Sequence, residues 1–452
     1  MGNASTAANK RQIKLGAFLM ETGHHIAAWR HPDALASGGL DFSHYAELAA
    51  IAERAKFDAV FFADNVGINE SNVNVLSRTA RADHFEPLTL LSALAVVTKQ
   101  IGLIATVSTS FNEPFNVARK FASLDHLSGG RSGWNMVTSS TELEAQNFNL
   151  EKHTAHATRY ERAREFHQVV TGLWDSWDED AFLRDKESGR YFASDKLHVL
   201  NHHGKHFQVR GPLNVARSPQ GSPVVVQAGA SEAGRQLAAE TAEVIFVAHQ
   251  TFEEAQAFYR DIKGRMTRFG RDPDHLKVMP GIFPVVGRTQ EEAEEKFDTL
   301  QNLVHPEVGL ALLSKMSGVD LSRFPVDGLV PELPETNGGK SRQQLLLDLA
   351  RRDNLTIRQL YLRIAGARGH QQVVGTPKSI ADQLQQWFEE DGADGFNIMS
   401  PWLPGGLTDF VESVVPELQR RGLFRSEYTS NTLRGNLGLP YPANRYEQRH
   451  VA

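Results

Sequence analysis

The sequence contains no cysteine in its 452 residues. This absence excludes disulfide bonds, cysteine-ligated iron–sulfur clusters, thiolate zinc sites and a cysteine nucleophile. The sequence also lacks an apolar run of the ~20 residues that cross a bilayer, and its first twelve residues show no secretory signal pattern. Neither sign of charge dominates, because 48 Lys and Arg face 54 Asp and Glu. We therefore expect a soluble, cytoplasmic protein without nucleic-acid or membrane partners.

The sequence does contain an alternation of short apolar segments and amphipathic helical segments, which is typical of βα units around a parallel sheet. Eight segments are predicted to be strands: residues 13–20, 59–64, 101–107, 132–138, 223–229, 244–248, 278–287 and 395–399. Eight strands alternating with helices in a chain of this length predict an α/β protein with a (β/α)8 TIM barrel.

Two regions interrupt the alternation, residues 179–222 and residues 288–374. Both are predicted to be long insertions at the carboxyl-terminal face of the barrel, because the βα loops that carry active sites lie there. In this interpretation residues 13–425 form a single barrel. Residues 1–12 are a disordered amino-terminal extension, and residues 426–452 are a carboxyl-terminal extension.

Several predicted strands end in a polar residue, notably Asp64, Thr106 and Asn135, and Ser231 follows the strand VVVQAGA. Strand ends converge at the mouth of a barrel, so these residues together indicate a site there. Ser231 also opens a helix, where free backbone N–H groups can bind a phosphate or a carboxylate. An ordinary helix cap at Ser231 is the alternative. The segment has neither the lysine of a P-loop nor GxGxxG spacing, so it indicates a mononucleotide-type phosphate at most.

Histidines are the other candidates for chemistry. His24 and His25 follow the first strand, where an imidazole can transfer protons or simply pack beside Trp29. The histidine-rich segments HTAH and NHHGKH do not match HExxH or another diagnostic zinc spacing, so no metal site is predicted. The nucleophile elbow GxSxG is absent, which gives no support for a serine hydrolase.

Long blocks of the sequence resemble the luciferase-like flavin monooxygenases of the nitrilotriacetate, pristinamycin and dibenzothiophene-sulfone monooxygenase family. These blocks include FLMETGHHIAAWRHP, KFDAVFFAD, FNVARKFASLDHLSGGRSGWNMVTS, NFNLEKHTAHATRYERAREF and SPVVVQAGAS. They occur in the same order, from about residue 13 to about residue 439. The blocks LARRDNLTIRQLYLRIAGARGH and TLRGNLGLP are most similar to the nitrilotriacetate monooxygenase branch.

The resemblance implies a luciferase-like barrel that binds FMNH2 supplied by a separate NAD(P)H:FMN reductase and transfers one oxygen atom from O2 to a small organic substrate. It implies flavin contacts at Asp64, Thr106, Asn135, Ser139, His156, Tyr160 and Ser231. It further implies that His25 is an active-site residue, as a proton donor or substrate anchor. Homodimers or homotetramers are usual for the family.

The predicted reaction is oxidative C–N or C–S cleavage of an aminopolycarboxylate such as nitrilotriacetate, or of a carboxylated thioether such as an S-succinylated cysteine. Candidate cations for such a substrate are Arg30, Arg78, Arg81, Lys340, Arg342 and Arg368. Three alternatives stay open at this point: a deazaflavin-dependent oxidoreductase on the same fold, a metal-dependent barrel hydrolase that uses the histidines, and a flavin-binding protein without activity.

Overall fold

The strands are almost entirely buried, as expected for the continuous apolar runs of a parallel barrel. The computed structural model describes residues 11–334 and 340–447, without the side chains of residues 340–342 and 345. Residues 1–10 and 448–452 of the predicted extensions lie outside this range. The strands are β1 (Lys14–Leu19), β2 (Ala59–Phe62), β3 (Gly102–Ser108), β4 (Ser132–Val137), β5 (His202–His203), β6 (Gln208–Val209), β7 (Val224–Ala228), β8 (Val244–Val247), β9 (Lys277–Val286), β10 (Gln371–Gly375) and β11 (Gly395–Met399).

Sixteen α-helices in the described residues surround and connect these strands. They are α1 (Phe42–Arg54), α2 (Val73–Leu76), α3 (Pro87–Val97), α4 (Pro114–Ser128), α5 (Glu142–Gln146), α6 (His156–Trp174), α7 (Glu232–Thr241), α8 (Phe252–Met266), α9 (Gln290–Asn302), α10 (Pro306–Ser317), α11 (Lys340–Arg352), α12 (Ile357–Ile364), α13 (Pro377–Glu389), α14 (Gly405–Asp409), α15 (Val415–Arg420) and α16 (Leu433–Leu437). A π-helical segment, Phe410–Val414, joins α14 to α15. None of the described helices has the length and apolar character needed to cross a membrane.

Eight parallel strands close the barrel in the order β1, β2, β3, β4, β7, β8, β9 and β11, and β11 pairs with β1. The predicted (β/α)8 fold is therefore confirmed, and each of the eight predicted strands corresponds to one barrel strand. The sequence prediction did not include β10, which pairs with the upper half of β9 at the rim. Its segment QQVVG has only two large apolar residues, so it carries little strand signal.

Strand alternation decides which side chains face the barrel lumen, because successive residues point to opposite faces. Phe61 pairs in register with Phe18 and Ile104, and all three belong to the apolar cluster inside the barrel. Two residues further along β3, Thr106 also faces the lumen, in register with Asn135. The outward-facing residues, such as Trp134, instead pack against the surrounding helices.

The second insertion, residues 288–374, follows the carboxyl end of β9 and supplies α9 to α12, so it lies at the carboxyl-terminal face as predicted. Its core consists of Leu313, Leu346, Leu360 and Tyr361 with their neighbours. Residues 335–339 of this insertion are not described. The insertion thus forms a packed layer beside the barrel mouth.

The first insertion, residues 179–222, lies at the opposite face, and this corrects one detail of the fold prediction. It joins the end of α6 to the start of β7, so it is an αβ connection and belongs to the amino-terminal face. Arg217 pairs there with Asp175 at 2.6 Å and Gln220 donates to the Ser132 carbonyl at the start of β4. The histidine-rich segment of this insertion packs against α6, where His202 lies 3.0 Å from Glu165 and Lys205 lies 2.8 Å from Glu161.

Candidate functional site

Thr106 and Asn135 form a hydrogen-bonded pair inside the upper barrel. The Thr106 hydroxyl donates to the Phe62 carbonyl at 2.8 Å, and the Asn135 Nδ2 donates to Thr106 Oγ1 at 2.8 Å. Both side chains are buried. The Asn135 Oδ1 has no hydrogen-bond partner among the described residues, so one strong acceptor faces the lumen.

Tyr160, Ser231 and His156 meet at a second point on the rim. The Ser231 and Tyr160 hydroxyl oxygens are 3.5 Å apart, and the His156 and Tyr160 ring centroids are 4.7 Å apart. Ser231 caps α7 by accepting from the Gly234 N–H at 3.1 Å, and the other N–H groups of the first turn have no partner within the helix. A Cβ on Gly234 would come within 3.2 Å of the Tyr160 hydroxyl. Gly234 therefore leaves space between the start of α7 and the Tyr160 hydroxyl. We call the group formed by Tyr160, Ser231 and the first turn of α7 the rim cradle.

Ser139 lies on the rim just past β4, with a backbone φ of 49°. Its hydroxyl donates to Ser108 Oγ at 2.8 Å, which ties the ends of β3 and β4 together. The guanidinium of Arg159, near the start of α6, donates to the Ser139 carbonyl. Ser139 is thus placed next to both the Thr106 strand and the Tyr160 helix.

Asp64, after β2, belongs to a chain of charged side chains on another part of the mouth. His84 Nε2 is 3.6 Å from Asp64 Oδ1, and His84 Nδ1 is 3.8 Å from Glu21 Oε1. Arg81 completes the chain with a 2.8 Å ion pair to Glu21. The hydrogen bond to Asp64 raises the pKa of His84 against the opposing effect of burial, with Glu21 adding to the increase.

His25 is buried, and both of its ring nitrogens already have protein partners. Its Nδ1 accepts from the Ala27 N–H at 3.2 Å, and its Nε2 donates to Gln301 Oε1 in α9 at 3.1 Å. Gln301 is held by its own bond to the Leu362 carbonyl. Burial lowers the pKa of His25 to about 4, so the imidazole is neutral at pH 7.

The candidate cations differ in position. Arg30 donates to the Leu303 carbonyl and Arg78 lies 3.7 Å from Glu307, so both bind the second insertion at the surface. Arg81 and Arg368 donate to consecutive carbonyls, those of Gly23 and His24, each at 3.2 Å. The side chains of Lys340 and Arg342 lie outside the described residues.

Sequence reasoning missed His84, Glu21, Gln301 and Arg159. Glu21 directly follows the first predicted strand and Arg159 lies within the block NFNLEKHTAHATRYERAREF, so the sequence held a signal for these two. His84 and Gln301 carry no such signal, and only the folded chain brings them to Asp64 and His25. Among the residues that the structure describes, no group of three or more His, Asp or Glu side chains is arranged to hold a metal ion. The metal-dependent hydrolase therefore gains no support from the geometry.

Comparison with known proteins agrees with this architecture. The model of a family described as luciferase-like monooxygenase matches residues 20–395. The chain is 54% identical to N-acetyl-S-(2-succino)cysteine monooxygenase of Bacillus subtilis (strain 168), over 97% of this chain and 99% of that protein. It is 51% identical to nitrilotriacetate monooxygenase component A of Aminobacter aminovorans, over 97% and 98%.

One solved structure is informative about the cofactor. A riboflavin lyase crystallised with a modified FMN and riboflavin is 33% identical to this chain, with a TM-score of 0.85 and coverage of 95% of this chain and 97% of that one. The same overall fold therefore holds an FMN-derived group in a protein of clear sequence similarity.

Proposed function

The chain belongs to the luciferase-like monooxygenase family, and we propose that it is the oxygenase component of a two-component system that uses FMNH2 to cleave a C–N or C–S bond. It is a monooxygenase, and its cofactor is FMN. Bound reduced FMN supplies the two electrons with which one atom of O2 enters the substrate while the other becomes water. The main support for the proposal is the buried Asn135 Oδ1 at the upper lumen, which has no hydrogen-bond partner among the described residues. A ligand with a hydrogen-bond donor at that place would satisfy it.

The rim cradle fits the phosphate end of FMN. The hydroxyls of Tyr160 and Ser231, 3.5 Å apart, and the first-turn N–H groups of α7 can donate hydrogen bonds to a phosphate at the positive end of the helix. His156 lies one helical turn before Tyr160 and is exposed, so it can add a further donor to the phosphate or the ribityl chain. We assign these three residues to the phosphate end.

The upper lumen fits the ring end. Thr106 and Asn135 supply polar groups on one wall, and Phe18, Phe61 and Phe246 form an edge-to-face aromatic cluster with centroids 4.9–5.6 Å apart. Ser139 extends the polar wall to the rim, and Asp64 extends it toward β2. Apolar walls of this kind exclude water from the reacting centre.

His25 is proposed to act on the substrate side of the site. Because its pKa is about 4, it is neutral at physiological pH and acts as a hydrogen-bond donor rather than a cation. Its Nε2–H is held by Gln301 of α9, so the second insertion controls this group. We propose that movement of α9 on substrate binding releases the His25 Nε2–H toward the substrate, which gives the insertion the role of a lid.

The substrate is proposed to be an aminopolycarboxylate or a carboxylated thioether. The names of the two similar monooxygenases support these classes. Arg81 and Arg368 bracket the backbone beside His25, so two guanidiniums lie where a carboxylated substrate can meet them. Hydroxylation of the carbon next to nitrogen or sulfur gives an unstable product that separates into an amine or thiol and a carbonyl compound.

The test is turnover with a generic NADH:FMN reductase, FMN and 18O2 against a panel of polycarboxylated amines and thioethers. We expect one 18O atom in the carbonyl product, which is reduced with borohydride as it forms so that its oxygen cannot exchange with water, and strict dependence on FMN. Tyr160→Phe should weaken FMN binding by about tenfold to a hundredfold, the effect of one hydrogen bond to a charged group. A product without 18O, or turnover that is independent of FMN, would contradict the proposal.

A further inference from the structure

The orientation of the Asn135 amide is fixed by the chemistry of its neighbour. A threonine hydroxyl has one proton, and that of Thr106 is donated to the Phe62 carbonyl, which can only accept. Thr106 Oγ1 is then an acceptor toward Asn135, so the amide must present its NH2 group there at 2.8 Å. Rotating the amide would place two acceptors against each other. The Asn135 Oδ1 is therefore held in the other direction.

The surroundings of the Asn135 Oδ1 are mainly apolar. Asn135 is in register with Thr106 and Val226, and it is 3% exposed. The adjoining lumen is lined by Ile104 and the aromatic cluster of Phe18, Phe61 and Phe246, and Oδ1 has no donor among the described residues. A buried acceptor without a partner is costly, so this oxygen favours a ligand that brings a hydrogen-bond donor.

We infer that Asn135 distinguishes reduced from oxidised FMN. The inference rests on the proposed function, which puts the flavin ring in this part of the lumen. The ring carries an N–H at N5 only when it is reduced, whereas the N5 of the oxidised ring is an acceptor. A fixed acceptor therefore attracts the reduced ring and repels the lone pair of the oxidised ring. The same group favours retention of FMNH2 until O2 arrives and release of FMN for the next reduction.

The experiment measures dissociation constants rather than activity. Dithionite-reduced FMN under anaerobic conditions and oxidised FMN in air are each titrated against the wild-type chain and three variants. In the wild type we expect the reduced form to bind at least tenfold more tightly. Asn135→Leu removes the acceptor but keeps a side chain of similar volume. It should raise the dissociation constant of reduced FMN about tenfold and change that of oxidised FMN less than threefold.

Thr106→Val provides a second variant that keeps Asn135. Without the hydroxyl the amide can rotate and offer its NH2 group to the oxidised ring, so the preference for the reduced form should fall about fivefold or more. Tyr160→Phe is the matched control at the phosphate end, and it should weaken both redox forms by the same factor.

Two results would overturn the inference. Equal weakening of both redox forms by Asn135→Leu would mean that the acceptor meets a donor present in both, such as N3–H. If the ratio of the dissociation constants for oxidised and reduced FMN is unchanged in both Asn135→Leu and Thr106→Val, then Thr106 and Asn135 do not distinguish the two redox states. Failure of the proposed function looks different, because neither redox form would then bind the wild type saturably and Tyr160→Phe would have no effect.

Discussion

At the scale of single residues, His84 is the group whose protonation the geometry controls most clearly. It stands between the carboxylates of Asp64 and Glu21, and the guanidinium of Arg81 lies behind Glu21. The carboxylates raise its pKa above the ordinary value of 6.5. When His84 is protonated, its Nε2–H orients the Asp64 side chain, which suits a residue proposed to contact the flavin.

His84→Gln is expected to lower FMN affinity about threefold to tenfold at pH 6.5 and to have less effect at pH 9. The sign follows from the raised pKa of His84: more of the imidazole is protonated at pH 6.5 than at pH 9, so its ion pair with Asp64 is lost as the pH rises through that pKa. Anaerobic FMN titrations of both proteins across this pH range make the comparison. Glu307→Gln, which alters an exposed ion pair with Arg78, serves as the control and should leave the profile unchanged. A loss of FMN affinity in His84→Gln that does not depend on pH would show that His84 contributes through packing and not through its charge.

At the scale of elements, the carboxyl-terminal segment closes the barrel floor. Leu433 and Leu437 of α16 are buried in the same cluster as the lumen residues Val224 and Val244. Glycine makes room for them: a Cβ on Gly102 would come within 2.4 Å of Leu433 Cδ1. The described part of the predicted extension is thus a plug that shapes the lower lumen.

Leu433→Ala should destabilise the protein by about 2–5 kcal/mol, because a fully buried leucine leaves a cavity that the rigid barrel floor cannot fill. Urea unfolding of the variant measures this loss. Leu183→Ala, at a side chain that is 46% exposed, is the matched control and should cost less than about 0.5 kcal/mol. Equal midpoints for the two variants would mean that the plug contributes nothing to stability.

The strand pattern predicted the barrel well, because eight parallel strands buried on both faces leave eight apolar runs in the sequence. The position of the first insertion was not predictable in the same way. Residues 179–222 have no periodicity that distinguishes a βα loop from an αβ connection, and their face depends on where α6 ends. The strand β10 was missed because five residues with two glutamines resemble a loop.

At the scale of the whole molecule, sequence position predicted part of the site. Thr106, Asn135 and Ser231 are strand-end residues, so the geometry of any barrel brings them to one rim. Their hydrogen bonds could not be predicted, since the orphan Oδ1 of Asn135 depends on where the Thr106 proton goes. His25 was predicted to be at the mouth, but its attachment to Gln301 joins residues 276 positions apart.

The assembly of the molecule also remains a prediction, and α3 offers a place to test it. This helix has no charged residue within Pro87–Val97, and Val96 and Val97 are 74% and 52% exposed. A helix that exposes large apolar side chains and carries no charge normally covers them with a partner. We therefore expect the predicted homodimer or homotetramer to use this surface. Val96→Glu should shift sedimentation velocity toward the monomer, and the same change at Val73, which is 73% exposed on α2, should not; an unchanged distribution in Val96→Glu would exclude this interface.

Flavin binding at this site is tested most directly by anaerobic titration of the protein with reduced FMN and, separately, with reduced riboflavin, which lacks the phosphate. We predict saturable binding with one FMN per chain and at least tenfold weaker binding of riboflavin. The combined Tyr160→Phe and Ser231→Ala variant should lose most of the difference in affinity between FMN and riboflavin. Absence of saturable binding, or equal affinity for the two flavins in the unmodified chain, would contradict the proposal that the chain binds FMN through its phosphate.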